Sequence, residues 1–153
     1  NPEEGDIRPQ LLDRFALSVT VTGEREAKDR IEVVKRRIAY EQHAEGFAAS
    51  YREQQEALRE KIERARALIK SVAVADEMLE KAAHISLALG VDGHRADITL
   101  IKAAMANAAF SGRTEVEKED MKAVSRLVLA HRLRRRPFEE GEVDWSAVDD
   151  VLA

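Results

Sequence analysis

Residues 8–22, RPQLLDRFALSVTVT, decide how this chain is read. Their first part, Arg8-Pro9-Gln10-Leu11-Leu12-Asp13-Arg14-Phe15, predicts a short amphipathic helix within residues 6–16. Asp6 is positioned to cap it, and Pro9 falls in the first turn, where a missing N–H does no harm. The second part alternates Leu17, Val19 and Val21 with Ser18, Thr20 and Thr22, the period of a strand, and Gly23 ends it. A lone strand this short is not stable in water, and no other segment reads as a good strand. The pair therefore predicts that the chain opens in the middle of a domain. On its own, the segment 1–22 is expected either to lack order or to pair with another chain.

Beyond Gly23 the pattern turns helical. Ala27, Ile31, Val34 and Ile38 fall at four- and three-residue steps beside Arg30, Lys35, Arg36 and Arg37. Gly46 is expected to interrupt this helix. A second one runs over about 47–69, with Leu58, Ile62, Ala65 and Ile69 on one face and charge on the others. Residues 23–70 thus read as a helical connector, solvated on most of its circumference. Residues 71–136 read as a small helical domain of three helices. The first, 75–89, turns Met78, Leu79, Ala82, Ile85 and Leu89 inward and stops at Gly90. The second, 95–111, turns Ile98, Ile101, Met105 and Ala108 inward and ends at Gly112. The third starts at a capping box of Thr114 and Glu117 and buries Met121, Val124, Leu127 and Val128. Pro137 stops it after a run of arginines, Arg132 and Arg134 to Arg136, which reads as neutralising the helix end and the tail. That tail, 137–153, is acidic, with Trp145 and Val148 as docking residues.

Composition excludes several classes. The chain is rich in Ala, Leu, Val and Ile and poor in glycine, proline and aromatics, the proportions of a helical bundle. Its net charge of −4 argues against a general nucleic-acid surface, which needs a basic excess. Without cysteine there is neither a disulfide framework nor a thiolate metal site. His43, His84, His94 and His131 form no i,i+4 pair, so no metal site is predicted. No apolar run approaches the ~20 residues needed to span a bilayer.

The opening string Asn1-Pro2-Glu3-Glu4-Gly5-Asp6-Ile7 followed by RPQLLDRF closely resembles the motor subunit of magnesium chelatase, an AAA+ ATPase family. The resemblance continues through Gly90-Val91-Asp92-Gly93-His94-Arg95-Ala96-Asp97 and through Leu129-Ala130-His131-Arg132-Leu133-Arg134-Arg135. It implies a mainly α fold: the end of an AAA+ core with its last strand (1–22), the connector (23–70), a lid (71–136) and the acidic tail. It also implies a role for each polar residue. Arg14 resembles the arginine finger, which reaches the γ-phosphate of ATP bound by the next subunit. Asp13 would orient Arg14 or pair across that interface. Asn1 resembles sensor 1 and Arg95 sensor 2, with Arg8 a second basic residue on the interface side. Phosphoryl transfer develops charge on equatorial oxygens, and a guanidinium offers a planar, permanently charged set of donors for them.

Ala16 departs from the glycine usual after the phenylalanine. A larger departure is the absence, within these 153 residues, of any G-x-x-x-x-G-K-[ST] loop and of an acidic Walker B strand. The fragment alone is therefore expected neither to bind ATP tightly nor to hydrolyse it, and ATP and Mg2+ belong to the parent. That parent, by resemblance, is a homo-oligomeric ring that powers Mg2+ insertion into protoporphyrin IX with a D-type subunit and a large porphyrin-binding subunit, in bacterial cytoplasm or plastid stroma. Two alternatives share this region: a D-type, cobalt-chelatase or MoxR-type chaperone ATPase, and a non-enzymatic helical interaction module.

Overall fold

The computed structural model describes residues 8–91, 93–133 and 144–153. Its elements are α1 (Pro9–Leu12), α2 (Ala27–Gln42), α3 (Ala44–Ser50), α4 (Arg52–Leu68), a 3-10 turn (Ile69–Ser71), α5 (Asp76–Ala88), α6 (Arg95–Phe110), α7 (Lys118–Leu129) and α8 (Ser146–Leu152). They fall into two compact units. One joins the chain up to Val19 with Arg64–Ala153; the other is Thr20–Glu63.

In the first unit, α5, α6 and α7 enclose a core in which Ile85, Leu100, Met121, Val128 and Leu129 lose all contact with solvent. The buried face of α6 differs from the one its bulky residues suggest. Ala96, Leu100, Ala104 and Ala108 are inside, whereas Ile98 is 53% exposed and Ile101 and Met105 are only partly covered. Alanines let the backbone of α6 come close to α7, so the small residues define the contact and the large ones flank it. In α5, Met78, Ala82 and Ile85 are buried as expected, but Leu79 stands 46% exposed.

Both predicted glycine stops hold, with the bonds of a Schellman motif. At α5, Gly90 (φ 65°) donates to the carbonyl of Leu87 and Val91 to that of Ser86. At α6, Gly112 (φ 79°) donates to Ala109 and Arg113 to Ala108. The start of α7 is shifted from its expected place. Ala73 N donates to Thr114 O at 2.8 Å and Val116 N to Ala73 O at 3.1 Å, a parallel bridge that holds residues 114–116 extended. Thr114 therefore cannot cap the helix. Glu117 does so instead, in a reciprocal box with Asp120.

Asp120 is the polar centre of this unit. Fully buried, it accepts from Arg113 Nη1 (2.7 Å) and Nη2 (2.6 Å), Asn107 Nδ2 (2.8 Å) and the backbone N of Glu117 (2.9 Å). Burial pushes its carboxyl up, but the hydrogen bonds from Arg113, Glu117 and Asn107 and the charge of Arg113 outweigh it, leaving the group below the usual carboxylate range.

The end of the chain docks on the same unit. Val148 and Leu152 of α8 are buried, Lys122 meets Asp149 at 2.6 Å, and Arg126 lies 5.4 Å from the centre of the Trp145 ring. Among the described residues, the cations that meet this segment come from α7 and from α5, where Lys81 Nζ donates to Val151 O at 2.9 Å. Arg134 to Arg136 lie outside the described residues.

The second unit is helical and thinly covered. No residue of α2, α3 or α4 is buried, and Ile31, Val34 and Ile38 of the predicted stripe are all about half exposed. The break between α2 and α3 lies at His43 rather than Gly46. The His43 ring accepts from Gly46 N at 2.8 Å and so caps α3, its own backbone having left the helical region. Surface i,i+4 pairs, Arg36 with Glu32 and Arg37 with Glu41, support α2.

Candidate functional site

The decisive segment, residues 8–19, folds back on the lid-like unit. Helix α1 is a single turn, closed by Leu11 N and Leu12 N on Arg8 O and continued by Arg14 N on Leu11 O and Phe15 N on Leu12 O. After it the chain runs extended, but residues 17–22 form no strand, and none exists among the described residues. Ser18 N instead donates to Leu127 O at 2.8 Å. The last four carbonyls of a helix have no partner within it, so the end of α7 offers the acceptor that a sheet was expected to supply. Residues 8–19 lie against the end of α7 of their own chain. Asn1 lies outside the described residues.

Arg132, just beyond α7, holds this segment. Its side chain is 2% exposed. Nε donates to Asp13 Oδ1 (3.2 Å), Nη2 to Asp13 O (3.3 Å) and Phe15 O (2.8 Å), and Nη1 to Ala16 O (3.1 Å) and Val128 O. A guanidinium has five N–H donors, and here all five are used. Beside it, His131 Nε2 lies 2.9 Å from Phe15 O. A carbonyl can only accept, so Nε2 carries the proton. Nδ1 is buried and unpaired among the described residues.

Asp13 is the junction. One oxygen accepts from Arg132 and the other from Arg95 Nη1 at 2.6 Å. Its expected partner, Arg14, is not among its contacts. Arg95, the first residue of α6, keeps a side chain 58% exposed. It borders an open groove of about 560 Å³, shared with Ala16, Leu17, Ile98, Thr99, Lys102 and Ala103. Arg14 is exposed, and its side chain has no hydrogen bond or ion pair among the described residues. Arg8 is also exposed.

The fold therefore brings Asp13 and Arg95 together, from positions 82 residues apart, and leaves Arg14 exposed and bonded to neither. Sequence reasoning missed Arg132. It was grouped with the arginines that follow it, yet it stands inside the string 129–135 already singled out, and it is the first arginine after the apolar period of α7 ends. Among the described residues no cluster of three or more His, Asp or Glu could hold a metal, and no helix is long and apolar enough to cross a membrane.

Residues 79–151 match the family model described as the AAA lid domain. A crystal structure from Cytophaga hutchinsonii, that of a candidate ATPase, aligns with a TM-score of 0.67 and 19% identity, over 97% of this chain and 48% of that one. Together with the all-helical architecture, these define the class: a lid-bearing, helical part of an AAA+ protein. Over nearly its whole length the chain is homologous to magnesium-chelatase subunits. It is 42% identical over 152 residues, 99% of its length, to the magnesium-chelatase subunit ChlI homolog of Methanocaldococcus jannaschii. It is 45% identical over 139 residues to the magnesium-chelatase subunit ChlI of Olisthodiscus luteus, and 44% over 140 to the magnesium-chelatase 38 kDa subunit of Acidiphilium rubrum. The chain spans 41–42% of the length of these three relatives.

Proposed function

We propose that the chain is the trans-acting and lid half of a ring-forming AAA+ ATPase subunit that powers insertion of Mg2+ into a tetrapyrrole. Arg14 is the arginine finger, donated to the γ-phosphate of ATP held by the neighbouring subunit. Arg95 is sensor 2, which meets the phosphates of the nucleotide bound by its own subunit, and Asn1 is sensor 1. Arg8 lies on the side of α1 that faces the neighbour. The phosphate loop, and with it tight binding of ATP and Mg2+, belongs to a part of the subunit outside these residues. The ring works with a D-type platform subunit and a large porphyrin-binding subunit.

One observation carries this reading: an exposed guanidinium at Arg14, without a hydrogen bond or ion pair among the described residues, beside a carboxylate, Asp13, that is already committed to Arg95 and Arg132. An arginine left over for a partner is what catalysis across a subunit boundary needs, because the charge that develops on the transferring phosphoryl group has to be met from outside the subunit that binds it. Identity to the chelatase subunits over nearly the whole chain supports the task assigned to the ring. The test is steady-state ATP hydrolysis by the assembled full-length subunit. Arg14→Ala is expected to lower kcat by about 10³-fold with KM for ATP little changed. Arg95→Ala is expected to weaken nucleotide response as well as turnover. Unchanged turnover in assembled Arg14→Ala rings would remove the finger assignment.

A further inference from the structure

The carbonyls gripped by Arg132 bracket Arg14. Asp13 O lies on one side, Phe15 O and Ala16 O on the other, and all three accept from the one buried guanidinium. Phe15 O takes a further bond from His131. The backbone of residue 14 is thus fixed from both sides while its side chain stays in solvent. From this geometry we infer that Arg132 is a positioning residue for Arg14: it ties the finger segment to the end of α7, so that the finger is aimed by the lid of its own subunit. The inference rests on the proposed finger role of Arg14 and adds what holds the finger in place.

Three features favour this over simple helix capping. A lysine or a water could satisfy the Val128 carbonyl, and that is the single bond Arg132 spends on its own helix. The other four go to residues 13–16. The side chain is nearly sealed from solvent, so the contacts are not traded with water from moment to moment. Asp13 also couples the two arginines of the site, since Arg95 and Arg132 hold opposite oxygens of its carboxylate. Lid and finger therefore share one rigid connection, and displacement of a catalytic group by ~1 Å is enough to cost on the order of 10²-fold in rate.

The experiment uses mixed rings of the full-length subunit. An acceptor carries Arg14→Ala with its phosphate loop intact; a donor carries an inactivated phosphate loop and an intact Arg14. Neither alone turns over ATP, and the mixture is expected to recover activity at the acceptor sites. Placing Arg132→Gln in the donor is expected to reduce that recovery about 100-fold, with KM for ATP unaltered. Placing it in the acceptor, beside Arg14→Ala, is expected to cost clearly less than in the donor, because the acceptor's own finger is not in use and only the Asp13 contact to its Arg95 is disturbed. Equal losses in both arms would make Arg132 a residue that merely holds the lid together, and no loss in either would deny it any role; both overturn the inference. If the unmodified donor fails to rescue, or if Arg14→Ala rings are active alone, the finger reading itself falls, and the inference with it. Should the glutamine variant not assemble, Arg132→Lys carries the same comparison, since it keeps the charge but cannot reproduce the five-donor fork.

Discussion

Neutralising Asp120 by Asp120→Asn tests the electrostatic centre of the lid and has a sign that can be worked out. The substitution keeps the shape but exchanges one acceptor oxygen for an NH2 group. That group must then face a donor, either Arg113 or the Glu117 backbone N, both within 3 Å of the carboxylate now. Breaking a buried ion pair by removing one member costs about 3–5 kcal/mol. Arg113 is 30% exposed and can turn partly to water, which places the expected loss near the lower end, about 3 kcal/mol at neutral pH. For a unit of this size that is a fall in Tm of roughly 12–24 °C. The pH dependence follows from the depressed carboxyl. In the folded state Asp120 binds its proton less tightly than in the unfolded chain, so the unfolded state takes up more protons as acid is added. Its contribution is present above the ordinary carboxylate value, about 3.9, and is lost as pH falls through the lower folded value. Thermal unfolding of the 153-residue chain and its Asp120→Asn variant, followed by circular dichroism between pH 7 and pH 2.5, should show a wide gap at neutral pH. The gap should narrow below about pH 4. Two curves that stay parallel down to the lowest pH would refute the assignment of this stabilisation to the ionised carboxylate.

Other positions test the packing. Gly112→Ala places a side chain at φ 79° with no atom nearby to clash, so only backbone strain acts, and a loss of about 1–2 kcal/mol is expected in denaturant unfolding. Ala104→Leu forces volume into a fully buried position of α6 and should cost about 1–3 kcal/mol. Ile98→Ala, at a half-exposed position, should stay within about 0.5 kcal/mol, the ordinary range for surface changes. If Ile98→Ala cost more than Ala104→Leu, the alanine face would not be the buried one.

Periodicity made the helices legible because an amphipathic face repeats every few residues whatever it packs against. The positive-φ glycines marked two helix ends for an equally local reason. What periodicity could not supply was the depth of each contact. In α6 the larger residues, Ile98 and Met105, drew the buried face toward themselves, while close approach of two helices favoured Ala104 and Ala108. The segment 17–22 reads as a strand from its alternation alone, yet Ser18 finds its partner at the end of a helix more than a hundred residues later, and local pattern carries no information about such a partner. Asp13, Arg14 and Arg95 stood out through a resemblance rather than through composition. Their arrangement did not, because it depends on Arg132, whose charge reads in the sequence as one more member of an arginine run and gives no sign of its burial.

The most direct measurement is a structure of the assembled full-length ring with a slowly hydrolysed ATP analogue. The Arg14 guanidinium of one subunit should lie within hydrogen-bond distance of the γ-phosphate bound by the next, with Asp13 still held by Arg132. Finding Arg14 folded back against its own subunit, remote from every neighbouring phosphate, would contradict the account.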